Sequence, residues 1–243
     1  MSRLAAHIND AGITLLDGER ILYREPGFAL LEDAGLATGN KAFASARVSP
    51  RSIQHRFWSN LQSEPIADRR FAHITAADLA SRQLEQMIVA AGRKNPEIIF
   101  AVPAWMDVQS LGLLLGIVGE LGVTVVAMVD SAVAATRREY RNAVPVHVEM
   151  SLHSAMLTRL SQSGQAQVDK TEVLEDCGVY GLYEGWINTI AESFVRQSRF
   201  DPLHTAETEQ LLLNRLGGWL TQASGQERVE LQIDYGGASY NAI

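Results

Sequence analysis

The side chains of this chain that could do chemistry are few and scattered. His147 and His153 suggest a metal-binding pair, but no third ligand stands near them in sequence. His153 and Ser154 would make a nucleophile and base only if both faced one way, and adjacent strand residues point to opposite faces. Cys177 is the lone cysteine, so there is neither a disulfide framework nor a cysteine-built zinc site. It is expected to be a buried apolar residue. Arg47, Arg51, Arg56, Arg69 and Arg70 form a basic cluster that would suit an anion or a partner, or simply a solvated face. The carboxylates also have plain readings. Asp10-Ala11-Gly12 is a hairpin-turn signal, Asp130 is placed to cap a helix, and Glu149 within a strand would face solvent.

The elements that must position these residues follow from pattern. Ala5 to Leu22 reads as a β-hairpin, with Ile13–Leu16 and Arg20–Tyr23 as its strand runs and Asp17-Gly18 as a turn. Phe28–Leu31 suggests another strand, Gly39-Asn40 a turn, and Lys41 to Arg47 a short helix; residues 51–70 are polar and irregular. Thr75 and Asp78 form a capping-box-like start for a helix that ends at Gly92. A strand at 97–103, a helix at 108–121 capped by Asp107, a strand at 123–129 and a helix at 132–140 capped by Asp130-Ser131 complete a layered unit with a parallel pair. Strands follow at 146–150, 155–160 and 167–174, then helices at 181–196 and 207–220, a final strand at 227–235 and a Gly236-Gly237 turn. The chain stops six residues later with no closing helix, which reads as a cut rather than a natural boundary.

Composition narrows the function classes. The 243 residues carry a net charge of −7, which leaves no electrostatic footprint for nucleic acid or an anionic membrane. The apolar stretch Leu111–Val129 is broken by four glycines, Glu120 and Thr124, so it reads as a buried helix and strand, and no membrane insertion is expected. The amino terminus runs straight into polar sequence with no signal peptide, and a cytoplasmic setting is the expectation.

The segment from Ile98-Ile99-Phe100-Ala101-Val102-Pro103-Ala104, through the helix ending at Gly122, to Asp130-Ser131-Ala132-Val133-Ala134-Ala135 resembles the actin-like ATPase superfamily. It is most similar to the ATPase domain of the seventy-kilodalton heat-shock chaperones, which carry a V-P-A strand end and an E-P-T-A-A-A helix start at this spacing. Asp10-Ala11-Gly12-Ile13-Thr14 resembles their first phosphate loop, D-x-G-T-T, and the hairpin at 146–160 falls where the second belongs. The resemblance covers nearly the whole chain in order. It implies an α/β actin-like (ribonuclease-H-like) fold, with mixed sheets flanked by helices. A first lobe would span 1–145 with a small subdomain inserted near 23–74, and an incomplete second lobe would span 146–243.

What the resemblance implies for function is ATP and magnesium held between phosphate loops, with closure coupling nucleotide state to shape. Asp10 would serve the metal, and Gly12, Thr14 and Ser154 would help hold the phosphates. Asp130 would stand for the water-orienting acid, and Glu149 would face the second phosphate side. The departures weigh against catalysis. Where the family has D-x-G-G-G-T, this chain has Glu149-Met150-Ser151-Leu152-His153-Ser154, with all three glycines gone. Three functions stay open: a chaperone-like nucleotide switch with weak or lost hydrolysis, a pseudo-ATPase scaffold for protein–protein assembly, and a sugar-kinase-like phosphotransferase. Protein partners are the expected class.

Overall fold

The structure, a computed structural model, describes residues 3–33 and 35–243. It is mixed α/β, with several sheets flanked by helices. In chain order the first elements are β1 (Leu4–His7), β2 (Ile13–Asp17), β3 (Arg20–Glu25), β4 (Ala29–Glu32), β5 (Gly35–Thr38), α1 (Asn40–Phe43) and β6 (Ile53–Gln54). Then come α2 (Ala76–Ala91), β7 (Glu97–Val102), α3 (Val108–Glu120), β8 (Thr124–Asp130) and α4 (Ser131–Ala135). The rest are β9 (Val146–Met150), β10 (Ser154–Gln162), β11 (Ala166–Glu175), α5 (Val179–Ser198), α6 (Ala206–Ala223), β12 (Leu231–Tyr235) and β13 (Ala238–Ala242). The chain forms two compact units, Met1–Phe43 with Gln54–Val179, and Ala44–Ile53 with Tyr180–Ile243. Strands β9 to β11, expected to open a second lobe, thus group with the first unit.

The first unit is built on a five-stranded sheet of order β3-β2-β1-β7-β8. β1, β2 and β3 pair antiparallel, and β7 lies parallel to both β1 and β8. Period-two alternation puts Leu4 and Ala6 of β1, Ile13 and Leu15 of β2, and Ile98, Phe100 and Val102 of β7 in the core. Leu79, Leu84 and Met87 of α2 and Leu114, Ile117 and Val118 of α3 meet them at helical spacing. Each of these side chains other than Ala6 contributes about 1.5–3 kcal/mol by burial. The helix starts match their sequence signals. Thr75 Oγ1 accepts the Asp78 N–H at 3.1 Å while the Asp78 carboxylate accepts the Thr75 N–H at 2.8 Å, and Asp107 accepts the Ser110 N–H at 2.8 Å. A three-stranded sheet of order β11-β10-β9 belongs to this unit, as do β4 and β5 of another sheet of order β5-β4-β6. The irregular segment at 51–70 is less polar in effect than in composition, since Phe57, Trp58 and Leu61 are buried in the core.

Four expectations are corrected. α4 ends at Ala135 instead of running to 140, because Thr136 leaves the helix in an extended conformation and its hydroxyl donates to the Ala132 carbonyl at 2.8 Å. α1 ends at Phe43, not Arg47. The final strand begins at Leu231, not 227, and pairs with a further strand, β13, across the Gly236-Gly237 turn (φ 60° and 81°). Cys177 is exposed, not buried: it follows Asp176, whose left-handed backbone (φ 58°) turns the chain outward after β11.

The second unit packs α5, α6 and the β12–β13 hairpin around Ile187, Ile190, Phe194, Leu212, Leu216, Trp219 and Ile233, all buried. Phe200 stacks on Tyr240 with ring centroids 4.0 Å apart. The embedded segment is held by Arg47. Its N–H donates to Gln210 Oε1 at 2.7 Å, and its guanidinium bonds Glu184 and lies 3.2 Å from Glu209.

Candidate functional site

The residues that converge are those at the end of β1, on β9 and in the turn from β9 to β10, all in the first unit. As β1 ends, Asn9 organises the turn into β2. Its side-chain carbonyl accepts the Ala11 N–H at 2.9 Å and its backbone carbonyl accepts the Gly12 N–H at 2.8 Å. That turn holds Asp10, which is buried. The backbone carbonyl of Asp10 accepts the Gly27 N–H at 2.7 Å, and a Cβ at Gly27 would sit 3.0 Å from the Asp10 Cβ and 2.8 Å from Trp58 Cδ1.

The facing turn is built from hydroxyls instead of glycines. The Ser151 N–H donates to the Ser154 carbonyl at 2.8 Å, and the two Oγ atoms lie 2.8 Å apart. At its tip the Leu152 N–H donates to Asp10 Oδ1 at 2.6 Å, and the Leu152 side chain is buried. Gly178 backs the turn. A Cβ there would lie 2.4 Å from the Leu152 carbonyl oxygen, so no other residue fits. His153 Nε2 lies 2.9 Å from the His55 carbonyl and 3.0 Å from His55 Nδ1.

Two buried carboxyls therefore lie near one another with different electrostatics. Glu149 is saturated with donors. Oε1 takes His7 Nε2 at 2.7 Å and Asn9 Nδ2 at 2.9 Å, Oε2 takes the Ser131 hydroxyl, and His147 Nε2 stands 3.9 Å off. Burial alone would raise its pKa, but the hydrogen bonds from His7, Ser131 and Asn9 outweigh this and hold it below the ordinary glutamate value. Asp10 has the opposite balance. Burial, with a smaller contribution from the Glu149 charge, pushes its pKa up to about 6 against the Leu152 hydrogen bond, and Oδ2 is buried without a hydrogen-bond partner.

The residues singled out from sequence divide accordingly. Asp10 and Glu149 are brought near one another, with Glu149 buried and not solvent-facing. Ser154 closes its own turn. Asp130 accepts the Ala132 N–H at 2.8 Å and so caps α4, while its neighbour Ser131 is the residue that reaches Glu149. The Thr14 hydroxyl donates to the Gly12 carbonyl at 2.8 Å. Gly12 has no positive φ, and a Cβ there would meet only the Arg24 side chain at 3.6 Å. Arg56 and Arg70 of the basic cluster pair with Asp176 and Asp68 at 3.5 and 2.7 Å, and the Arg69 side chain lies outside the described residues. Sequence reasoning missed His7, Asn9, Ser131 and His55. The one signal was the polar pair His7 and Asn9, two residues apart at the end of an otherwise apolar strand and just beyond it.

A magnesium-bound triphosphate does not fit these residues as they stand. Asp10 Oδ2 is the one carboxylate oxygen of the pair without a partner, and the first turn touches the second directly through the Leu152 N–H. Among the described residues no group of three His, Cys, Asp or Glu side chains is placed to hold a metal ion. No helix among them is long and apolar enough to cross a membrane. Compared with known proteins, the chain matches no family model, and no curated protein sequence matches it significantly.

Proposed function

We propose that this chain is a non-catalytic relative of the actin-like ATPases, a pseudo-ATPase that serves as a scaffold for protein–protein assembly. The fold part of the reading is supported by the β3-β2-β1-β7-β8 order, in which a three-stranded meander feeds a parallel pair joined by α3 and then a second hairpin system. The observation that carries the functional part is the 2.6 Å bond from the Leu152 N–H to Asp10. In an ATPase of this kind the two turns must stand apart to take phosphates between them. Here they are tied to each other, and serine hydroxyls replace the backbone cradle that glycines would offer.

One observation favours the second reading, a nucleotide-dependent switch with weak or lost hydrolysis. Asp10 Oδ2 is a buried acceptor with no donor, as a residue retained for a ligand would be. Calorimetric titration of ATP with magnesium distinguishes the two. The scaffold reading expects no heat of binding from a protein shown to be folded in the same buffer. Binding tighter than about 10⁻⁴ M that Asp10→Ala abolishes overturns it in favour of the switch.

A further inference from the structure

We propose that the loop from Arg137 to Val144 is a docking site for an acidic segment of a partner protein. Arg137, Arg138 and Arg141 fall within five residues of a chain whose net charge is −7, and all three are exposed. Among the described residues no carboxylate pairs with any of them. The exposed arginines Arg3, Arg56, Arg70, Arg82 and Arg159, by contrast, each lie within 3.5 Å of an aspartate or glutamate. Glu139 is the one acid within the run, so the loop carries positive charge where the chain as a whole is negative.

The loop is held in place. After Thr136 ends α4, the Gln162 side chain of β10 grips the backbone at two points. Its Nε2 donates to the Arg138 carbonyl at 2.9 Å, and its Oε1 accepts the Tyr140 N–H at 3.0 Å. The Arg138 guanidinium lies over the Tyr140 ring, 5.0 Å from its centroid. Asn142 takes a left-handed backbone (φ 56°), and the Pro145 carbonyl accepts the Leu160 N–H at 3.0 Å just before β9. A merely solvated basic stretch needs no such clamp. Both hydrogen-bonding ends of Gln162 are spent on fixing the backbone that presents the arginines, and a loop fixed beforehand loses less freedom when it binds.

A cavity of about 620 Å³ opens beside the loop, within the size range of binding clefts. Arg141 and Arg159 line it together with Tyr140, Val144 and Leu160, and Asp169 on its wall is already taken by Arg159 at 2.6 Å. Tyr140 is 42% and Val144 66% exposed. Arginine and tyrosine are enriched among the side chains that dominate binding at protein interfaces, and a guanidinium takes a carboxylate through two parallel N–H bonds. Carboxylates of the partner meet Arg137 and Arg141, and an apolar neighbour covers Tyr140 and Val144. Nucleic acid is the poorer occupant, because its backbone needs a long positive track and the chain outside this loop is acidic.

The class of partner rests on the scaffold reading, which nucleotide titration tests, whereas peptide binding is a separate measurement, so the two can fail apart. Fluorescence anisotropy of the 243-residue chain with a labelled peptide of about twelve residues, rich in glutamate and carrying one leucine, tests the inference at about 50 mM salt. The expected result is a Kd of about 10–100 µM, weakened at least threefold by about 300 mM salt and at least tenfold by Arg137→Glu combined with Arg141→Glu. Gln162→Ala, which keeps every charge and removes the clamp, should weaken it at least threefold. Arg215→Glu combined with Arg228→Glu, the same charge change on the second unit, should leave it within about twofold, and circular dichroism should show each variant folded. The salt and peptide comparisons use the wild-type chain and stand whatever a variant does. No binding up to about 1 mM, equal losses in the two charge reversals, no effect of Gln162→Ala, equal binding of a peptide with glutamine in place of glutamate, or tighter binding of a single-stranded oligonucleotide overturns the proposal.

Discussion

Replacing Asp10 with asparagine keeps an acceptor for the Leu152 N–H and removes the titration of the buried carboxyl. The folded pKa of Asp10 is about 6 against an ordinary 3.8, so the folded state binds its proton more tightly than the unfolded state does. The sign follows. Asp10 favours the folded state most at low pH, and stability falls as pH rises from about 4 through 6. Above that, the ionised buried carboxylate costs about 3 kcal/mol relative to its unfolded value. Between pH 5 and pH 8 the wild-type chain should lose about 1.4 kcal/mol from this group alone, a factor of about 10 in the unfolding constant. The asparagine of the Asp10→Asn variant does not titrate, so urea unfolding at pH 5, 6.5 and 8 should show the variant gaining that amount on the wild type across the range. A constant offset from the buried amide does not alter this slope. His153, whose pKa is lowered chiefly by burial, contributes stability that is lost as pH falls below its ordinary value, but it does so in both proteins and cancels in the difference. Parallel pH profiles for the two proteins would refute the reasoning, since they would mean that Asp10 titrates as an exposed carboxylate and that the contact with Leu152 does not bury it.

Gly178→Ala puts a methyl 2.4 Å from a backbone oxygen that the turn cannot move, and should cost about 3 kcal/mol, a fall in Tm of roughly 6–12 °C by calorimetry; an unchanged Tm would mean the turn is not backed by this glycine. Glu149→Gln removes charge from a carboxylate that His7, Asn9 and Ser131 all engage, and should cost about 2–3 kcal/mol at pH 7. Because the folded pKa of Glu149 is depressed, that loss should shrink as pH drops below its ordinary value of 4.5, and a pH-independent loss would contradict the assignment. In the second unit Arg47→Ala leaves Glu184 and Glu209 without their shared cation, and should speed amide exchange in α5 and α6 by roughly tenfold while leaving β1 and β7 unaffected.

Much of the first unit was legible in the sequence because its signals are local. The Thr75 and Asp78 box, the Asp107 cap, and the apolar runs of β7 and β8 each fix an element within a few residues. Asp130 illustrates where locality stops. Its plain reading as a helix cap holds, yet the chemistry beside it belongs to Ser131, which reaches a carboxylate on β9 that no local pattern places there. The surroundings of Asp10 and Glu149 depend on contacts between residues about 140 apart, and a polar side chain on a strand gives no sign of what it faces. The hairpin turn at Ser151–Ser154 was legible as a departure from a glycine cradle, but its serines bond each other instead of standing idle, which only the fold reveals. The end of α4 turned on a side-chain bond from Thr136, a choice that helix propensity does not register.

The tie between the two turns is tested most directly by the amide proton of Leu152. Hydrogen exchange followed by NMR should show it protected well beyond an exposed turn, unchanged by millimolar ATP with magnesium, and deprotected in Asp10→Ala. An unprotected Leu152 amide in the wild-type chain, or one that shifts and loses protection when nucleotide is added, would contradict two turns tied together by the Leu152 N–H and Asp10.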